Sequence, residues 1–233
     1  MKINIYQQLE GAKKARGLAV IIDVFRACTV EACLTASGAD KIIAVGEIET
    51  ALSFKQKIPG CVLIGERRGV KLPNFDFGNS PSQLEGFDFR GKTAVHTTSA
   101  GTQGIVNASG ADEIITGSFV NAKAIAEYIR RKSPNEVSLV CMGLDAVEPT
   151  DEDTLCAEYI KSIIEGNPLP DIAERADALR YTSGAKFFKP ELSEIFPQRD
   201  FEICVKPDIY DFVIKAEKSD DDGFIMKRIN VLQ

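Results

Sequence analysis

The chain has 233 residues, enough for one large domain or two small ones around a sizeable core. Its 44% hydrophobic and 27% charged content is that of a soluble globular protein, and no apolar run nears the roughly 20 residues that cross a bilayer. A net charge of −6 at pH 7 disfavours nucleic acid as a partner and requires that cations for any anionic ligand be gathered locally.

The opening stretch MKINIYQQLEGAKKARG lacks the apolar segment of a signal peptide, which gives a cytoplasmic expectation without membrane attachment. Leu18 to Ile22 is a near-continuous apolar run, the mark of a strand covered on both faces. A helix is predicted from Thr29 to Ser37, closed by Gly38, then a strand Lys41 to Val45, a helix Glu47 to Lys57 and a strand Cys61 to Ile64. After the long loop Gly65 to Ser82, the order returns. Strand Thr93 to Val95, helix Gly101 to Ala108, strand Ile114–Ile115, helix Asn121 to Arg131 and strand Val137 to Cys141 follow. Beyond Gly143 the pattern predicts helices at Asp153 to Glu165 and Asp171 to Phe188, with a connector from Pro190 to Pro197. Two β-rich segments, Phe201 to Val205 and Phe224 to Ile229, are expected to pair as antiparallel edge strands around the acidic turn Ser219 to Gly223.

Such alternation predicts βαβ units, an α/β fold with a mostly parallel sheet, and a C-terminal helix and antiparallel strand extension. Within it the octapeptide ASGADKII (Ala36 to Ile43) returns as ASGADEII (Ala108 to Ile115), 72 residues later. Both copies sit where a helix ends before a strand. Two related βαβαβ halves are therefore expected, residues 1–90 and 91–233, the second carrying the extension and the site lying between them. The alternative is that Gly-Ala-Asp recurs wherever a helix gives way to a strand. The six cysteines form no Cys-x-x-Cys pair and read as free thiols, and one histidine supplies no zinc ligand set.

In open α/β sheets ligands bind beyond the carboxyl ends of the strands, and four polar clusters fall at such ends. Asp23 to Thr29 places an acid, Arg26 and a helix-capping hydroxyl after a buried strand. The second carboxylate of an aspartyl-phosphate phosphatase is missing, since Phe25 stands there. The loop Gly65 to Ser82 offers Glu66 as a metal ligand and Arg67 and Arg68 as anion clamps, with Asn79 and Ser80 entering a helix at Pro81. Cys61 and Arg67 have the spacing of cysteine phosphatases, but the intervening Val-Leu-Ile is a buried strand rather than a phosphate loop. Thr97, Thr98, Ser99, Gly101 and Thr102 form a small-residue turn suited to close approach of an anion, whereas His96 beside it reads as structural. Finally, Glu148 to Asp153 holds four carboxylates in six residues, either an acidic helix start or ligands for a hard cation such as Mg²⁺, with Glu152 and Asp153 preferred. Cations beside metal-binding carboxylates suit hydrolysis of a small anionic phosphoester, with Asp23, Arg26 and Glu66 as catalytic candidates and Asp23, Glu66, Glu152 and Asp153 as the metal set.

At these residues the sequence resembles the 2-phosphosulfolactate phosphatase family. The matching stretches are DVFRA (Asp23 to Ala27), GERRG (Gly65 to Gly69), FDFGNSP (Phe75 to Pro81), Thr97-Thr-Ser99, and Glu152-Asp153 with Cys156-Ala157, while Phe201 to Phe212 is similar to the family's tail. The resemblance implies an Mg²⁺-dependent phosphatase that converts 2-phospho-3-sulfolactate to 3-sulfolactate and phosphate, a step towards coenzyme M. It also implies an α/β fold peculiar to that family, with the site between two halves. One departure stands out, Thr-Thr-Asn-Gly-Thr in the family pattern against Thr97-Thr-Ser-Ala-Gly-Thr102 here. It leaves open another small phosphorylated acid as substrate, or a sulfonate- or phosphate-binding protein without catalysis. A homo-oligomer is equally open.

Overall fold

A computed structural model describes residues 1–220 and 222–231. In chain order the elements are β1 (Lys2–Gln7), α1 (Gln8–Lys14), β2 (Leu18–Ile22), α2 (Ala27–Ala36), β3 (Lys41–Ala44), α3 (Ile48–Lys57), β4 (Val62–Arg67) and β5 (Val70–Lys71). After them come β6 (Thr93–Thr97), α4 (Gly101–Asn107), β7 (Glu113–Gly117), α5 (Ala122–Lys132), β8 (Glu136–Cys141), α6 (Asp151–Ile164), α7 (Ile172–Ala178), α8 (Gln198–Cys204), β9 (Phe212–Lys218) and β10 (Phe224–Asn230).

The strands form one sheet in the order β1-β8-β2-β7-β9-β10-β3-β6-β4-β5. β1, β8, β2 and β7 run parallel to one another, as do β3, β6 and β4. The β9–β10 hairpin is antiparallel to both sets and joins them. The α/β class, the mostly parallel sheet and the antiparallel C-terminal strands agree with the sequence pattern.

Three details differ from it. The C-terminal hairpin is central rather than at an edge. Its first strand is Phe212–Lys218, while the segment Phe201 to Val205 belongs to helix α8. Phe, Ile, Cys and Val favour a strand locally, but Phe201 and Cys204 lie three positions apart and both face the core, as a helix requires. The predicted helix Asp171 to Phe188 breaks after Ala178 into short 3-10 turns, Leu179–Tyr181 and Ala185–Phe188. Of the acidic turn Ser219 to Gly223, Asp221 lies outside the described residues.

The order of strands is symmetric about the hairpin. β2, β3 and β4 of the first unit match β6, β7 and β8 of the second, and each unit lends its first strand to the other: β2 lies between β8 and β7, and β6 between β4 and β3. Register makes the match residue by residue. Leu18 pairs with Glu113 as Thr93 pairs with Lys41, so Lys41 corresponds to Glu113, the 72-residue offset of the octapeptide repeat. Consequently a boundary at residue 90 does not divide the sheet, because strands from both sides of it alternate in each half.

Side-chain alternation builds three cores from this arrangement. Val20, Ile22, Leu139 and Cys141 face α5 and α6 on one outer side, where Ile125, Ile129, Cys156 and Ile160 cover them. Ile43, Leu63 and Val95 face Phe54 of α3 on the other. Between them lies a shared core of Ala19, Ile21, Ile42, Ile64, Ala94 and Ile214, filled by Ala12 of α1, Val30 and Leu34 of α2 and Ile105 of α4. Burying residues from both parallel sets against the same three helices locks the interleaved units together and brings the turns that follow β2, β4, β6 and β8 to one place.

Candidate active site

Those turns enclose a cavity of about 280 Å³. Asp23 enters from the end of β2, Glu66 from β4, Ser99 and Ala100 from the turn after β6, and Gly143 to Asp145 from the turn after β8. Arg26, Arg68, Asn79, Lys186 and Phe196 complete the wall.

Asp23 is buried. Its Oδ1 accepts the Ala27 N–H of the first turn of α2 at 3.0 Å, and the Gly101 N–H also faces the carboxylate. These donors do not offset desolvation: burial, with the nearby charges of Glu66 and Glu152, pushes the Asp23 carboxyl up to about 7. The approach of α4 to this carboxylate demands Gly101, since a Cβ there would lie 2.5 Å from Ala27 Cβ and 3.0 Å from Asp23 Oδ2.

Glu66 is equally buried and fully engaged. Its Oε1 accepts Ser99 N–H at 2.7 Å, and Oε2 accepts Gly69 N–H at 2.6 Å and the Ser99 hydroxyl at 3.2 Å. Gly69 has φ +79°, and a Cβ there would meet Phe196 at 2.6 Å. The β4–β5 turn is thus pinned to the turn before α4 through a carboxylate, leaving one lone pair of Oε1 for a cation.

The candidate cations divide into wall and contact. Arg26, buried, donates to Asp200 Oδ2 at 2.6 Å and Ile195 O at 2.8 Å, and lies over the Phe196 ring. Asp200 in turn accepts Ser80 Oγ–H at 2.8 Å and Ser82 N–H at 2.9 Å, so one fully buried carboxylate fastens Arg26 to the Asn79–Ser82 segment. Removing one partner of such a pair costs about 3–5 kcal/mol. Arg67 donates to Glu66 O, Gly46 O and Thr97 Oγ1 at 2.8 to 3.0 Å, which commits its guanidinium to backbone and turn. Arg68 differs: it is exposed, its backbone N–H is held by Ser99 Oγ at 2.9 Å, and its side chain projects between this cavity and an adjoining one of about 520 Å³. The larger cavity is lined by Arg67, Gln103, Val147 and Glu148 besides the shared Arg68, Ser99, Leu144 and Asp145.

Several expected contacts prove to be scaffold. Thr98 N–H donates to Thr102 Oγ1 at 2.8 Å and Thr102 N–H to Thr98 Oγ1 at 3.2 Å, a reciprocal cap; Thr97 is bound to Gly46 O, and all three are buried away from the cavity wall. Ser80 is spent on Asp200. Asp153 stands behind Asp23, its oxygens accepting Val24 N–H and Gly143 N–H at 2.8 Å each, and burial beside Glu152 and Asp23 holds its carboxyl well above the usual range. Glu152 is buried with one oxygen unpartnered, its carboxyl also raised by burial, and neither residue lines the cavity. Among the described residues no three His, Cys, Asp or Glu side chains are grouped to hold a metal. Asp23 and Glu66 are the predicted ligands that share the cavity.

Sequence reasoning missed Lys186 and Asp200. Lys186 sits on a 3-10 turn inside a segment read as continuous helix, and Asp200 lies in α8, directly before the stretch Phe201 to Val205 that was expected to be a strand. The apolar company of Asp200, Phe201, Ile203 and Cys204, is the signal that a buried acid was present. Among the described residues no helix is long and apolar enough to cross a membrane.

Comparison with known proteins agrees with the geometry. A family model described as 2-phosphosulpholactate phosphatase matches residues 3–219. Proteins named probable 2-phosphosulfolactate phosphatase are similar over nearly their whole length. The one from Bacillus subtilis (strain 168) is 32% identical over 219 residues, covering 94% of this chain and 95% of its own. That from Carboxydothermus hydrogenoformans is 34% identical over 223 residues, covering 91% and 92%. A third, from Clostridium acetobutylicum, is 31% identical over 229 residues, covering 91% and 96%. The chain therefore belongs to the 2-phosphosulfolactate phosphatase family, a family of phosphoric monoester hydrolases.

Proposed function

We propose that this chain hydrolyses 2-phospho-3-sulfolactate to 3-sulfolactate and phosphate with Mg²⁺ as cofactor, on a route to coenzyme M. The observation that carries the reading is the meeting of Asp23 and Glu66 with Arg68, Lys186 and Asn79 around one cavity, in a chain of this family. The substrate bears three acidic groups and needs cations beside the reacting phosphoryl group. Asp23 and Glu66 fit Mg²⁺, which takes one or two protein carboxylates and completes its shell with waters and substrate oxygens. Burial above all, and the charges of Glu66 and Glu152 after it, raise the Asp23 carboxyl, and a cation beside it would favour the ionised form. Bound there, Mg²⁺ would polarise the phosphoryl oxygens towards attack by water.

The protein's own side chains then divide the work. Asn79 and Lys186 face the phosphoryl end in the smaller cavity, and Arg68 at the junction takes the carboxylate or sulfonate that extends into the larger one. Arg26, held by Asp200, keeps the wall in place rather than gripping substrate.

The test is phosphate release from racemic 2-phospho-3-sulfolactate with Mg²⁺ and with EDTA, beside phospholactate and phosphoglycerate. Mg²⁺-dependent release that prefers the sulfonated ester is expected. Release from a control alone would move the substrate, and silence on all three would overturn hydrolysis. In the same assay Arg68→Ala is expected to raise KM about 10-fold or more, the worth of a charge-assisted contact, with little change in kcat.

A further inference from the structure

His96, the single histidine of the chain, is fully buried together with Glu31. Its Nδ1 lies 3.3 Å from Glu31 Oε1 and its Nε2 lies 3.2 Å from Asn79 Oδ1. Three distant stretches meet here: the middle of α2, the inner face of β6, and the loop that enters at Pro81. Placing a carboxylate and an imidazole in the shared core is a poor way to gain stability, because apolar residues of similar size pack there without a desolvation cost. Glu31 Oε2 makes no hydrogen bond at all. Asn79 is the member of the chain of contacts that reaches the cavity, beside Asp23 and Glu66.

We propose that Glu31 and His96 are positioning residues that fix the Asn79 amide with its N–H groups towards the phosphoryl oxygens of the substrate. This rests on the phosphoester reading of the cavity. An unrestrained amide turns over readily and would as often present its carbonyl, which repels an anion. Asn79 Oδ1 only accepts, so the ring nitrogen beside it, Nε2, carries the hydrogen of that contact, and one further hydrogen held between Nδ1 and Glu31 Oε1 closes the other. With its Oδ1 taken by Nε2–H, Asn79 leaves its NH₂ to the cavity. In the same way, groups standing behind a metal ligand or a catalytic base orient it in other sites.

The experiment measures calorimetric binding of inorganic phosphate to the full-length chain in Mg²⁺, beside phosphate release from the sulfolactate ester. Asn79→Ala is expected to weaken phosphate about 10- to 100-fold, the range for a hydrogen bond to a charged group. Asn79→Asp should weaken it further, since it sets a carboxylate oxygen where the N–H groups were. His96→Leu combined with Glu31→Gln, which leaves no unpaired buried charge, should weaken it by the same factor as Asn79→Ala. Adding Asn79→Ala to that pair should then cost nothing more. His96→Gln, whose amide still donates to Asn79 Oδ1, should restore most of the affinity.

Losses that multiply in the triple variant, or a folded His96→Leu/Glu31→Gln protein with unchanged phosphate affinity, would overturn the proposal. Should that pair unfold, Asn79→Asp decides it: phosphate binding as tight as in Asn79→Ala rules out an outward-facing NH₂. A wild-type chain that binds phosphate but releases none from any ester loses the hydrolase reading and keeps this one. One that does neither loses both.

Discussion

The two strand-to-helix turns that meet at the cavity occupy equivalent places in the two interleaved units, yet they carry opposite chemistry. Register pairs Ile22 with Cys141 as it pairs Thr97 with Gly65, so Asp23 corresponds to Thr98 and Glu66 to Met142. At the first pair of positions stand two buried carboxylates. At the second stand a hydroxyl spent on capping α4 and a thioether packed in the shared core. The second unit supplies backbone instead, with Ser99 N–H on Glu66 and Gly101 N–H towards Asp23. Symmetry about the hairpin would have placed four acids around one cavity of about 280 Å³. Four like charges so confined would largely neutralise one another by protonation. One unit therefore holds the charge and the other holds the unit that holds the charge.

The largest expected effect breaks this division at its charged end. Asp23→Asn keeps the size and the contact with Ala27 N–H but removes the charge, and is expected to lower kcat by about 1,000-fold or more while the melting temperature holds or rises. Turnover within tenfold of wild type would remove Asp23 from the chemistry. The same substitution has a signature in stability. The folded carboxyl sits near 7 against an ordinary 3.8, so it binds its proton more tightly folded than unfolded. Its stabilising contribution is complete below about pH 4 and is lost as pH rises through about 7, a span worth at most about 4 kcal/mol. Urea unfolding in EDTA at pH 5 to 8 should show wild type losing stability relative to Asp23→Asn across that window. Parallel curves for the two proteins would refute the assignment.

Much of this contrast was legible in the sequence, because parallel strands buried on both faces announce themselves as apolar runs and the polar clusters at their ends stand out against them. Asp23, Glu66, Arg68, Asn79 and Ser99, which line the cavity, were singled out in that way. The octapeptide repeat also marked true equivalence, although not that each unit would give its first strand away. Exchange of this kind leaves no local trace, since a strand reads the same whichever neighbours it has. The central hairpin was obscured for a related reason. Lys215, Glu217 and Lys227 alternate with its buried residues and pair with one another, so strands in mid-sheet read as charged, exposed ones. Burial, likewise, decides what a side chain is free to do. Arg67 and Arg68 are neighbours of the same type, and only the tertiary structure shows that Gly46 O and Thr97 engage the first while the second faces two cavities.

A middle-sized effect tests the seam between the units. Gly101→Ala drives a methyl to 2.5 Å from Ala27 Cβ and towards the Asp23 carboxylate. Overpacking of this kind costs about 1–3 kcal/mol, and the displaced α4 start should lower kcat together with stability. Denaturant melts and kinetics on the same preparation check both. A variant that is destabilised but fully active would show that α4 and Asp23 can shift together without consequence for the chemistry.

The smallest effect sharpens the comparison from the silent side. If Thr98 is the structural counterpart of Asp23, Thr98→Val should fail only where Thr98 works, in the reciprocal cap with Thr102. Losing the hydrogen bond from Thr102 N–H to Thr98 Oγ1 in a buried turn costs about 1–2 kcal/mol, and the backbone N–H of residue 98 still donates to Thr102 Oγ1, which limits the damage. Valine has nearly the volume of threonine, so no cavity opens to add to it. Stability should therefore fall modestly while kcat and KM stay within about twofold. A loss of kcat approaching that of Asp23→Asn, at unchanged stability, would instead mean that the hydroxyl touches substrate and that both units contribute reacting groups. The ratio of the two kcat losses thus measures how far the equivalent turns have diverged.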